Sequence, residues 1–157
     1  MNTEDLLAAA RTKGLRIAVA ESCTGGLLAG ELTEPAGAST VFDRGFVTYS
    51  NAAKVDLLGV TEVALETHGA VSEEVAGQMA VGTLQRSQAD VAVAITGVAG
   101  PGASGRKPEG RVCFGLATAQ GASTETVEFG PRGRHEVRQA SVAHALDLLR
   151  QAVERTS

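Results

Sequence analysis

Two short runs of branched apolar residues and alanine constrain this chain most: LRIAVAES at 15–22 and VAVAIT at 91–96. Neither keeps the strict polar–apolar alternation of a half-exposed strand. A strand built from either is buried on both faces, the condition of an interior strand in a layered α/β sheet. Helical signals surround these runs. Residues 3–13 place leucine and alanine at helical spacing, with Glu4 and Asp5 in the first turn and Gly14 at the C-cap position. TGGLLAGELTEPAG reads as a second helix, stopped by Pro35 and Gly37. A strand over 42–49 and a short helix over 52–58 follow, the helix ended by Gly59. Ser72 is a good N-cap, with Glu73 and Glu74 where the helix dipole favours acids, and that helix runs to about residue 87. VCFGLAT and TETVEF read as two strands joined by a turn around Gln120 and Gly121, and a long helix covers 134–155. The alternation predicts an α/β fold: a single layered domain over 1–157 whose mixed, mostly parallel sheet is flanked by helices. A chain of 157 residues is long enough to bury about two-thirds of its unfolded surface without staples.

In sheets of this kind ligands bind beyond the carboxyl ends of the strands. Two loops rich in glycine and hydroxyls fall there: ESCTGG after the first apolar run, and TGVAGPGASGRKPEG after the second. In ESCTGG a strand gives way to a helix within two or three residues. Ser22 therefore sits beside backbone N–H groups of a helix start, which stabilise an oxyanion or hold a phosphate. The plainer reading makes Ser22 or Thr24 an N-cap. Cys23 is a rival nucleophile, though a free cysteine beside a buried strand usually serves as a small core residue. A serine hydroxyl needs activation. None of the three histidines, His68, His135 and His144, lies in a glycine-rich loop. The segment TYSNAAK offers another partner: Tyr49 ends a strand and Lys54 lies in the next helix, so both can face one cleft. A desolvated lysine acts as a base, whereas most helical lysines are simply solvated.

The second loop contains GPGASG, Gly100 to Gly105, but RKP follows it and no helix opens there. That rules out a dinucleotide fingerprint, and the missing G-K-[ST] ending rules out a Walker loop. What remains is a loop of exposed N–H groups with Arg106 and Lys107, suited to an anion or to a solvated turn. Arg132, Arg134 and Arg138 cluster at the start of the last helix, where they meet either a phosphate, a partner subunit or solvent. No metal is expected, because the two cysteines are far apart and no histidine pair has helical ligand spacing.

Net charge −4, aromatics at 3% and no tryptophan argue against nucleic acid as a partner. The apolar runs fall short of the ~18 residues of a spanning helix, so no membrane association is expected. MNTEDLLAAARTKG opens acidic rather than basic, unlike a secretory leader, and the reduced thiols of Cys23 and Cys113 fit a cytoplasmic location.

AESCTGGLLAGELTEPAGAS, GFVTYSNAAKVDLLGV, GAVSEEVAGQMA and AITGVAGPGASGRKPEGRV, in that order, resemble the C-terminal domain of the CinA family. Its stand-alone members are similar to nicotinamide-nucleotide amidohydrolases, which convert nicotinamide mononucleotide to nicotinate mononucleotide and ammonia. The resemblance implies Ser22 as nucleophile, with Tyr49 and Lys54 as its activating partners. It implies Thr24, Gly25 and Gly26 as pocket and oxyanion residues, and Thr96, Gly97, Gly100 and Gly102 as the border of the nucleotide. It also implies dimers or higher oligomers and no metal or organic cofactor. Family members usually carry G-D-R-x-x-[VI]-R before the last helix; here Arg134 and Arg138 match its arginines, and Gly133 stands at the aspartate. Many members have a further N-terminal pyrophosphatase domain, and that second activity is not expected here. The competing expectation is a non-catalytic nucleotide sensor or interaction module, tied to competence or DNA damage. Tyr49 and Lys54 discriminate, since a sensor needs no base beside Ser22.

Overall fold

The computed structural model describes residues 2–156. The first helix, α1 (Thr3–Thr12), begins in a reciprocal capping box: the Asn2 side chain accepts from the Asp5 N–H, and the Asp5 carboxylate accepts from the Asn2 N–H. β1 (Ile17–Glu21), α2 (Leu27–Thr33) and β2 (Phe42–Val47) follow, with a 3-10 turn at Ala38–Thr40 between the last two. α3 (Asn51–Leu58), α4 (Glu62–His68) and α5 (Glu73–Gln85) come next. β3 (Val91–Gly97), β4 (Arg111–Thr118), β5 (Gly121–Glu128) and α6 (Arg134–Arg155) complete the chain.

The predicted elements are present, with shifted ends. α2 starts at Leu27, because Cys23 to Gly26 form a turn rather than helix. β5 begins earlier than expected, at Gly121, because its ladder with β4 runs right up to the tight turn. α4 was not anticipated. It is seven residues long with only Ala64 buried, so it lacks the apolar stripe that announces a helix, although Thr61 caps it.

The strands form one sheet in the order β2-β1-β3-β4-β5. β2, β1 and β3 run parallel, and β4 and β5 are antiparallel additions. Glu21 pairs with Val47 on one side and Ile95 on the other, which brings the carboxyl ends of all three parallel strands to one edge.

The alternation inside the apolar runs has a packing reason. Ile17, Val19, Val93 and Ile95 point into a core shared with α1, α2 and α6. Ala20, Ala94 and Ala117 face the other way, toward Leu58, Val75 and Met79 of α3 and α5. Large side chains fill the wide layer, each worth about 1.5–3 kcal/mol of burial. Alanine lets the second layer sit close. That closeness extends to α3 against α5: a Cβ on Gly82 would lie 2.0 Å from the Leu58 carbonyl oxygen. α3 is thereby seated against α5 on one face of the sheet. No helix among the described residues is long and apolar enough to cross a membrane.

Candidate active site

β1 delivers Ser22 to that edge. The Ser22 N–H donates to the Ile95 carbonyl at 3.0 Å, fixing the residue between the ends of β1 and β3. The chain then turns sharply. The Gly25 N–H donates to the Ser22 carbonyl (3.1 Å) and the Leu27 N–H to that of Thr24 (3.0 Å). Gly25 and Gly26 make this turn at φ 57° and 108°, a region that favours glycine. Ser22 is 8% exposed, buried but reachable.

Lys54 meets it from the opposite layer. α3 is capped by Ser50, whose hydroxyl accepts from the Ala53 N–H at 3.0 Å. One turn on, Lys54 is only 1% exposed. Its Nζ lies 3.0 Å from Ser22 Oγ and donates to the Thr48 carbonyl at 2.8 Å. No carboxylate among the described residues pairs with this amine. Burial without a counter-ion pushes it down from the ordinary 10.5 to about 8. At pH 7 about a tenth of the molecules then carry a free-base amine, against about three in ten thousand for an ordinary lysine. The solvated-lysine reading of Lys54 is thereby excluded.

The other candidates separate. Burial pushes the Cys23 thiol up to about 11, so it stays protonated and serves as core, at 6% exposure. His144 stacks on Phe114 and pairs with Glu125, His68 faces Glu74, and His135 is exposed; none touches Ser22. Tyr49 does not join the Ser22–Lys54 pair here. It is 61% exposed, and its hydroxyl accepts from Arg134 at 3.0 Å. Arg134 also donates to the Gly100 carbonyl at 2.8 Å, so Tyr49, Arg134 and Gly100 tie three separate segments together. Thr96 is buried and donates to the Ala70 carbonyl (2.9 Å); Gly97 packs against Val112 in the β3–β4 ladder; the Gly102 N–H donates to the Glu109 carboxylate. Thr24 is fully buried, and its hydroxyl has no partner among the described residues.

Two expectations about cations and dipoles change. Lys107 is not left facing an anion, because it donates to the carbonyls of His68 and Val71 and so closes its loop onto the end of α4. Nor is the start of α2 free. The carboxylate of Glu21, itself wholly buried, accepts from the Leu28 and Ala29 N–H groups at 2.9 and 3.0 Å. What remains of the turn is the N–H of Cys23, of Thr24 and of Gly26, which reach no acceptor among the described residues. Arg138 grips the turn from α6, with Nε 3.1 Å from the Cys23 carbonyl and Nη2 3.4 Å from that of Thr24. Sequence reasoning missed Glu21 and gave Arg138 no role in the turn. One signal for Glu21 was there: an acid inside an apolar strand, just ahead of a helix start.

The model of the CinA C-terminal domain family matches residues 2–153. A CinA-like protein of Mycolicibacterium vanbaalenii is 54% identical over 141 residues, spanning 89% of this chain and 33% of that protein. The chain thus covers about a third of the length of such relatives. Nicotinamide-nucleotide amidohydrolase PncC of Enterobacter agglomerans is 50% identical over 149 residues, 94% of this chain and 91% of that one. The crystal structure of competence/damage inducible protein CihA from Agrobacterium tumefaciens superposes with a TM-score of 0.89 at 48% identity, covering 98% of this chain and 96% of the other.

Proposed function

The chain belongs to the CinA C-terminal domain family, and from that premise we propose that it hydrolyses the carboxamide of nicotinamide mononucleotide to nicotinate mononucleotide and ammonia. The observation that carries the reading is the buried Lys54 amine 3.0 Å from the Ser22 hydroxyl, with no acid paired to it among the described residues. Similarity to an amidohydrolase over nine-tenths of both chains supports the substrate. A sensor has no use for a lysine stripped of water beside a serine.

The free-base Lys54 takes the Ser22 proton as Oγ attacks the carboxamide carbon. The unpaired N–H groups of the turn, those of Cys23, Thr24 and Gly26, are the donors available to the developing oxyanion, a contribution worth about 100- to 1,000-fold per donor. The lysinium returns its proton to the amide nitrogen, and ammonia leaves. Water, deprotonated by the same amine, then cleaves the nicotinoyl ester and restores Ser22. Gly25, Gly26, Thr96, Gly97, Gly100, Gly102 and Arg134 border the nucleotide, with Tyr49 at the rim beside Arg134 rather than in the proton transfer. The enzyme works in the cytoplasm, as a dimer or higher oligomer, and these steps use neither metal nor organic cofactor.

Ammonia release from nicotinamide mononucleotide, measured for the purified protein and for Ser22→Ala, tests this. Release by the wild type that falls at least about 1,000-fold in Ser22→Ala is expected. Near-full activity in the variant overturns the nucleophile. No release by a folded wild type overturns the substrate.

A further inference from the structure

Glu21 and Ser22 are consecutive residues at the end of β1, and their side chains go to opposite layers. Glu21 reaches α2 through the Leu28 and Ala29 N–H groups; Ser22 reaches α3 through Lys54. Opposed side chains are what a strand dictates for neighbours. The backbone between them is therefore held from both sides of the sheet. A rotation that loosens the Glu21 grip swings Ser22 Oγ relative to Lys54 Nζ. The same carboxylate occupies the Leu28 and Ala29 N–H groups at the start of α2, so the turn's remaining donors are those of Cys23, Thr24 and Gly26.

We propose that Glu21 is a positioning residue for Ser22: its buried two-point grip on α2 sets the Ser22 hydroxyl against Lys54 and leaves the N–H groups of the Cys23–Gly26 turn, not those of α2, as the oxyanion donors. The proposal rests on the reading of Ser22 as nucleophile. The carboxylate shape is required because two N–H donors on adjacent residues need two acceptor oxygens. Glutamine has one oxygen, and its NH2 group would face the second donor. The helix start then shifts, and a displacement of about 1 Å at reacting atoms costs on the order of 100-fold in rate.

The test compares wild type, Glu21→Gln and Ser22→Ala as full chains. The reagent is phenylmethanesulfonyl fluoride, which sulfonylates an activated serine whatever the natural substrate. Labelling of Ser22 is followed by intact mass across pH 6–10, and kcat and KM are measured with nicotinamide mononucleotide. For Glu21→Gln the expected result is labelling and kcat both lowered at least about tenfold. The pH inflection from Lys54 should stay in place and KM should stay within about threefold, because the base is intact and only the geometry is lost. Wild-type labelling rates in a folded Glu21→Gln, whatever its thermal stability, overturn the proposal and leave the nucleophile reading standing. A moved pH inflection also overturns it, since Glu21 would then act on Lys54 through its charge. If the wild type is not labelled at Ser22, the nucleophile reading fails and this one with it. Should Glu21→Gln not fold, Glu21→Asp, which keeps both oxygens but draws them back by one methylene, carries the same test. Failure of both to fold overturns the proposal in favour of a purely structural residue.

Discussion

Replacing Lys54 by methionine removes the buried amine but keeps most of its apolar stem. The exchange pulls activity and stability in opposite directions. A lysine held at about 8 instead of 10.5 represents about 3 kcal/mol of disfavoured charge at neutral pH. The side chain is 1% exposed, so solvent does little to relieve that cost. Against it stand the hydrogen bonds to Ser22 and the Thr48 carbonyl, worth about 1 kcal/mol each, and methionine leaves that carbonyl without its donor. Lys54→Met is therefore expected to be about 1 kcal/mol more stable than wild type at pH 7, with amide hydrolysis reduced at least about 100-fold.

The pH dependence is the sharper check. Between about 8 and 10.5 the unfolded wild-type chain holds a proton on Lys54 that the folded chain has released, so wild-type stability rises with pH through that window. The methionine variant has no such group. Its advantage should shrink by about 2.5 kcal/mol between pH 7 and pH 10 and change sign on the way. Urea unfolding of both proteins at pH 7, 8.5 and 10, followed by circular dichroism, reads the difference directly, and groups common to both cancel. A difference that stays flat with pH, or grows, refutes the claim that Lys54 is buried as a weakened base.

The same amine sets the rate profile: kcat/KM for amide hydrolysis should rise tenfold per pH unit below an inflection near 8 and level off above it, checked by ammonia release from pH 6 to 10. Tyr49→Phe removes the hydroxyl that accepts from exposed Arg134 and leaves the Ser22–Lys54 contact untouched. A rise in KM of about three- to tenfold with the inflection unmoved is expected, whereas a loss of kcat beyond about 100-fold would put Tyr49 in the proton transfer.

The elements that read clearly in the sequence are those whose burial is uniform. VAVAI allows one environment only, and β3 is where it was expected. α4 escaped because a helix with one buried residue leaves no stripe to detect. Lys54 was legible as a candidate only through its company: helical spacing alone describes a solvated lysine, whereas the folded chain buries the amine against Ser22 and the Thr48 carbonyl. Arg138 gave no local sign of holding the Ser22 turn, because its partners Cys23 and Thr24 lie more than a hundred residues earlier. Glu21 was masked by strand geometry, since an acid at a strand end usually points to water. Here α2 starts directly above it and supplies two donors in place of solvent.

Ser22 and Lys54 stand 32 residues apart and come from opposite sides of the sheet edge, with β2 threaded between them in the chain. Each is inert alone. The serine is a poor nucleophile by itself, and the lysine regains its ordinary basicity as soon as water reaches it. A partly folded chain, or one whose sheet has formed while α3 is still undocked, therefore carries no reactive hydroxyl to acylate. On the proposed reading, hydrolytic competence is a late event of folding, and its recovery on refolding is expected to time the docking of α3 rather than the assembly of the strands.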